Sequence, residues 1–263
     1  CYKKELRKTK MEGLTVELLS KRLRHQRTQR TQFSMDEYQK LLKVSRSRIK
    51  KGRGTRIKFD RERLHHFCIF MVGTGLRVDE ALKLEWEDIR CIDRERVVNR
   101  QATETIVSAY GKDFLSQLER YYLQINVGIS KSRPHTAYGT GSAYFAYQNL
   151  IKLYTSNPQF NCKVGEGTIF KLHSFREGLN SLLDEADLKF EKLGDSRVKR
   201  DSKSFRHTFI QFMLNKGMSS TAIAKMCGTS TEMIDKYYTS NMALDTMMDT
   251  FNKVKGGHLK IVS

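Results

Sequence analysis

No stretch of this chain approaches the ~18 consecutive apolar residues that a membrane-crossing helix needs, so a membrane span is not expected. Nor does an apolar stretch follow the opening Cys1-Tyr2-Lys3-Lys4, which argues against a secretory signal. An initiator methionine is also missing, as expected for a fragment that has lost an N-terminal module. The five cysteines (Cys1, Cys68, Cys91, Cys162, Cys227) are odd in number, scattered and without a C-x-x-C pair. They read as reduced thiols of a cytoplasmic protein rather than as a disulfide framework. Seven histidines show no metal-ligand spacing, and the adjacent His65 and His66 would point to different faces of a helix. Neither metal nor cofactor is expected. No internal repeat is visible.

Acidic side chains are the other shortage. Asp and Glu number 29 against 48 Lys and Arg, a formal net charge of +19. The imbalance is uneven: residues 1–56 carry 18 basic and 5 acidic side chains, a net of +13. Such a block repels itself unless a polyanion neutralises it, which favours double-stranded DNA or another nucleic acid as partner. A solubilising basic tail is the alternative. An anionic membrane surface fits less well, because the block has no sustained apolar face with bulky anchors. The remainder can fold: 39% of residues are hydrophobic, with 14 Phe, 11 Tyr and 10 Met, enough for one large or two small domains.

Along the chain, residues 1–31 read as a basic arm with an amphipathic piece from Met11 to Leu23. Ser34 followed by Glu37 is a capping-box signature, with Phe33 as staple, for a helix running to about Val44. A basic loop is expected from Ser45 to Arg56, then a helix from Asp60 to about Val72, broken by Gly73 and Gly75. Short strands are expected at 89–92, 97–98 and 105–110, and a helix from Asp113 to about Ile125. Residues 126–172 carry both prolines and no readable motif. Helices follow from Phe175 to Ala186, Ser202 to Asn215, Ser220 to Cys227, Thr231 to Tyr238 and Met242 to Val254. The expected class is mainly α with a small antiparallel β-sheet near residues 89–110.

Three motifs carry chemistry. Thr74-Gly75-Leu76-Arg77-Val78-Asp79-Glu80 puts an arginine at a helix start, with Leu84-Glu85-Trp86-Glu87-Asp88-Ile89 behind it. Ser204-Phe205-Arg206-His207-Thr208 sets a second arginine in an apolar helix, and Gly228-Thr229-Ser230 precedes Tyr237-Tyr238. Guanidinium forks suit the non-bridging oxygens of a phosphodiester, because they stay charged and donate in a plane. A phenol can attack the phosphorus between them, provided positive charge or a base activates it. Taken alone, Arg77 also fits a surface pair with Glu80 or Glu85, and the tyrosines fit packing. A lone charge among Phe205, Phe209 and Ile210 is costly, which favours a functional Arg206. His207 reads as an inward structural group, or one that supports another residue.

In that order, the motifs resemble the tyrosine recombinase (phage integrase) family over roughly residues 32–250, and the resemblance implies that family's catalytic-domain fold. It implies site-specific DNA cleavage and rejoining through a 3′-phosphotyrosyl intermediate, without metal or ATP, as in an integrase of a mobile element. Arg77 and Arg206 would hold the phosphate, Glu80 would steady Arg77, and Tyr238, nine residues after Thr229, would attack. Two to four protomers would assemble on DNA, in a nucleoid-associated setting. Residues 1–31 would be an arm or the remnant of a core-binding module, 32–250 the catalytic domain and 251–263 a tail.

The sequence departs from the family pattern at three places. Lys203 stands where a histidine usually lies three residues before the second arginine, and Thr229 where another usually lies nine before the tyrosine. Both would assist at the phosphate. The general-acid lysine belongs in a β-hairpin turn after the first arginine. Between Val97 and Thr105 only Arg100 is basic, and Lys112 is the nearest lysine. These departures keep a decayed recombinase open as an alternative. Another is a non-catalytic helix-turn-helix regulator, since Ser219 to Ile234 scans as that motif. Its recognition helix would carry Glu232 and Asp235 against Lys236, a poor face for phosphates. A type IB topoisomerase-like enzyme would share the chemistry without paired target sites.

Overall fold

The computed structural model describes residues 31–93, 121–128, 134–172, 174–193 and 196–238, which belong to the compact unit that starts at Thr31. Helix α1 spans Met35–Lys50 and opens on the expected capping box. Ser34 Oγ accepts from Glu37 N at 3.1 Å, and Glu37 Oε2 accepts from Ser34 N at 2.9 Å. The helix does not stop near Val44 as the sequence predicts. It continues because two polar residues of its last turns find tertiary partners. Ser45 is hydrogen-bonded to His65 at 3.1 Å, and Arg48 reaches Ser181 at 2.9 Å and Glu185 at 3.1 Å.

Helix α2 (Thr55–Thr74) is the hub. Phe59, Leu64, Phe67, Cys68, Phe70 and Met71 are all buried, so beyond its exposed first turn little of the helix faces water. Burying each large side chain is worth about 1.5–3 kcal/mol. The helix ends at Gly75, whose φ of 66° closes a left-handed cap, and a Cβ there would lie 2.1 Å from the Phe209 ring. Only glycine fits that bend, and the bend delivers Arg77 to the start of α3 (Val78–Lys83).

A short 3₁₀ turn, Trp86–Asp88, leads into β1 (Ile89–Asp93). Strands β2 (Tyr121–Val127) and β3 (His135–Gly139) complete an antiparallel sheet of order β1-β2-β3. Ile89 pairs with Ile125, and Ile125 with Ala137. Residues 121–125, expected to end a helix, are thus strand. Tyr121, Tyr122, Ile125 and Val127 suit a pleated, half-buried surface, and β2 is paired on both sides. The expected strands at 97–98 and 105–110 and the helix from Met242 lie outside the described residues, as does the start of the 113–125 helix.

The segment that offered no motif holds β3 and helix α4 (Gly141–Thr155), which packs along α2. Helix α5 (Arg176–Glu185) and a two-stranded ribbon, β4 (Phe190–Leu193) with β5 (Ser196–Lys199), precede α6 (Ser202–Asn215). Helices α7 (Ser220–Cys227) and α8 (Thr231–Tyr238) follow as expected. The architecture is mainly α with a small antiparallel sheet. A second apolar cluster joins α6, α7 and α8 to Tyr122 and Tyr138 of the sheet. Among the described residues no helix is long and apolar enough to cross a membrane.

Buried polar contacts set the position of α6. Arg200, 2% exposed, grips both oxygens of Glu37 at 2.9 and 2.8 Å and lies over the Phe33 ring. Phe33 N donates to Thr208 Oγ1 at 2.8 Å, and the Thr31 and Ser204 hydroxyls meet at 3.0 Å. The entry to α1 is thereby tied to the helix that carries the second arginine.

Candidate active site

Arg77 occupies the N-cap position of α3. Its backbone N–H donates to Glu80 Oε2 at 2.8 Å, and its Nη1 to Glu80 Oε1 at 2.7 Å. The Glu80 side chain is fully buried while that of Arg77 keeps 32% of its surface exposed. The carboxylate therefore holds both the backbone and the guanidinium of Arg77, whose side chain stays partly exposed. Nη2 of Arg77 extends to the carbonyl oxygen of Gly228 at 2.8 Å.

Arg206 comes from α6. Its Nη2 donates to the carbonyl of Cys227 at 2.7 Å, and its Nη1 to that of Gly75 at 3.0 Å. The two arginines, 129 residues apart in sequence, thus end on neighbouring carbonyls at the C-terminus of α7. A helix C-terminus is the negative end of the dipole, so it suits both cations. Gly228 caps α7 with a φ of 58°, and a Cβ there would meet the His135 ring at 2.5 Å. Burial pushes the Cys227 thiol up, against the opposing pull of Arg206, so it stays neutral beside the two arginines.

Thr229 follows directly. Its N–H donates to Ala224 O at 2.9 Å, and it is half-buried next to the carbonyl that Arg77 holds. Lys203 sits exposed on the first turn of α6, three residues before Arg206. It lines a cavity of about 410 Å³ together with Val78, Arg176, Lys199 and Asp201. Asp201 caps α6 by accepting from Lys203 N at 2.7 Å. Lys112 lies outside the described residues.

Tyr238 ends α8 and is 2% exposed. Its hydroxyl is hydrogen-bonded to Nδ1 of His207, the residue after Arg206. Tyr237 is half-buried, with Lys236 Nζ 5.5 Å above its ring. Sequence reasoning treated His207 as a structural or supporting group and missed this contact. The available signal was its place beside Arg206, since consecutive helical residues diverge by ~100° and can serve two neighbours.

The phage integrase family model matches residues 31–243, and the chain belongs to that family. No curated protein matches it. Several solved structures do. The XerH site-specific recombinase, bound to difH substrate in a pre-cleavage complex, aligns over 79% of this chain and 50% of its own, with 16% identity and a TM-score of 0.52. XerA recombinase aligns over 87% and 66%, with 13% identity and a TM-score of 0.53. The Tn1549 transposon integrase, in complex with transposon right-end DNA, aligns over 87% and 67%, with 15% identity and a TM-score of 0.52. The likeness shows the tyrosine recombinase fold, and this chain spans half to two thirds of the length of those proteins.

Proposed function

We propose that the chain is a site-specific DNA recombinase that cleaves and rejoins double-stranded DNA through a 3′-phosphotyrosyl intermediate. The observation that carries this reading is the convergence of Arg77 and Arg206 on the Cys227 and Gly228 carbonyls, next to Thr229. Two planar, permanently charged forks in one place match the paired non-bridging oxygens of a phosphodiester. As the trigonal-bipyramidal transition state forms, charge grows on those oxygens and the arginines stabilise it. Tyr238 attacks, the 5′-oxygen leaves, and the covalent link conserves the bond energy for religation. Lys203 and Thr229 donate to the phosphate from its flanks.

The leaving oxygen needs a proton. The family resemblance puts the donor lysine in a hairpin turn, and Lys112 was the nearest lysine to the hairpin expected from sequence. Strands β2 and β3 are consecutive antiparallel partners, and the residues that join them, 128–134, include Lys131. That topology favours Lys131 over Lys112 as general acid. Residues 1–31 act as a basic DNA-contacting arm, 32–250 as the catalytic domain and 251–263 as a tail. Two to four protomers act together on DNA, in the cytoplasm at the nucleoid. The DNA complexes of the XerH recombinase and the Tn1549 integrase support this partner.

The test is a trap without Mg²⁺ on nicked duplexes taken from the DNA flanking the gene. A denaturing gel should show a covalent protein–DNA adduct that Tyr238→Phe abolishes and Tyr237→Phe retains. Tight, salt-sensitive binding without any adduct would support a regulator or a decayed recombinase instead.

A further inference from the structure

Tyr238 has a partner that the phosphate grip does not use. Its hydroxyl is bonded to Nδ1 of His207, with ring centroids 5.7 Å apart and planes inclined by 37°. Both groups sit where α6 packs on α8, with Tyr238 buried and His207 half-buried. Arg206 and His207 are consecutive on α6, so one turn of helix serves both the phosphate grip and the nucleophile. A phenol with an ordinary pKa of ~10 is only about 0.1% ionised at pH 7, so attack requires that its proton go somewhere. The carboxylates of α8 and of the arginine site are poorly placed to receive it. Glu232 and Asp235 lie on the exposed face of α8, and Glu80 is occupied by Arg77.

We propose that His207 is the base that takes the hydroxyl proton of Tyr238 as the phenol attacks. The inference rests on the recombinase reading above. In the resting state His207 is neutral with its proton on Nε2, and bare Nδ1 accepts the bond from Tyr238. On attack the Tyr238 Oη–P bond forms and the P–O5′ bond breaks. The hydroxyl proton passes to Nδ1, and the 5′-oxygen takes a proton from the general-acid lysine. In religation the 5′-hydroxyl attacks, the tyrosine oxygen departs, and His207 returns the proton to it. The role differs from that of Lys203, which lines the cavity beside Lys199 and Asp201 and would hold a charge rather than accept a proton.

The test compares the full wild-type chain with His207→Gln on two nicked duplexes, one with an ordinary scissile phosphate and one with a 5′-bridging sulfur. The glutamine oxygen can accept the tyrosine bond but cannot hold the proton, and a sulfur leaving group needs no acid. Single-turnover adduct formation by His207→Gln should fall about 10²–10⁴-fold on both duplexes, with DNA affinity unchanged. Added imidazole should restore adduct formation to His207→Ala, which keeps the inference testable if the glutamine variant folds poorly. A His207→Gln rate within about threefold of wild type would overturn the proposal. So would a defect that disappears on the sulfur duplex, or a His207→Ala variant that imidazole leaves unchanged. A wild-type chain that forms no adduct on either duplex overturns the recombinase reading, and this inference with it.

Discussion

Arg206 donates to the carbonyl oxygen of Gly75 at 3.0 Å, two residues ahead of Arg77. The second arginine therefore fixes the backbone that presents the first, and both close on the C-terminal end of α7. The two arginines and the C-terminal end of α7 form one interlocked unit.

Replacing Arg206 with lysine should show this coupling. One ammonium cannot bridge Gly75 and Cys227 as a planar fork does. Adduct formation should fall about 10²–10³-fold, the usual cost of removing a transition-state donor. Urea unfolding should also register a loss of about 1–3 kcal/mol, since charge-assisted bonds to buried carbonyls are lost. An unchanged unfolding midpoint would show that the Gly75 contact does not hold the first arginine's loop.

The Arg200–Glu37 pair predicts an asymmetry. Arg200 is 2% exposed, whereas the Glu37 side chain keeps 33% of its surface. Glu37→Gln leaves a buried guanidinium with Glu191, at 3.5 Å, as its remaining charged partner among the described residues, and should cost about 3–5 kcal/mol. Arg200→Met leaves a carboxylate that water can reach, and should cost less. Chemical denaturation of the two variants checks the order, and equal losses would contradict it.

Acid should weaken the fold through His65. Burial first, and the neighbouring His66 next, lower its pKa from the ordinary 6.5 to about 4. Between those values the unfolded chain binds more protons than the folded one, so stability rises with pH across that window. The contribution is complete above about 6.5 and is lost as pH falls towards 4, up to about 3 kcal/mol in all. His65→Gln should flatten the pH dependence of unfolding between pH 4.5 and 7, whatever its effect at neutral pH.

Much of this layout was legible in the sequence. Helices α6, α7 and α8 begin and end where expected because their punctuation is local: Asp201 and Ser219 cap starts, and Gly228 closes α7. The polar end of α1 reads as a loop in the sequence because its partners, His65, Ser181 and Glu185, come from distant sequence. Tyr121 and Tyr122 extend a helical spacing upstream, and only pairing with Asp93 and Ile92 of β1 makes them strand. In the site, residue types and spacing pointed to Arg77, Arg206 and Tyr238. The shared landing of both arginines on Cys227 and Gly228, and the bond from Tyr238 to His207, depend on packing that no local pattern encodes.

The two lysine candidates separate cleanly. Lys131→Ala should slow cleavage of an ordinary duplex about 10²–10⁴-fold and regain most of that rate on a 5′-bridging sulfur duplex, which needs no acid. Lys112→Ala should cut both at nearly the wild-type rate. The reverse pattern would return the general acid to Lys112.

The central claim is that Tyr238 becomes covalently joined to DNA. Trypsin and nuclease digestion of the trapped adduct, followed by fragmentation mass spectrometry, reads the attachment directly. Cleavage after Lys236 releases a peptide that starts Tyr237-Tyr238. A nucleotide 3′-phosphate on Tyr238 and a free 5′-hydroxyl on the other DNA end are the expected result. A nucleotide on Tyr237, a 5′-phosphate attachment, or bound DNA that never becomes covalent would contradict it.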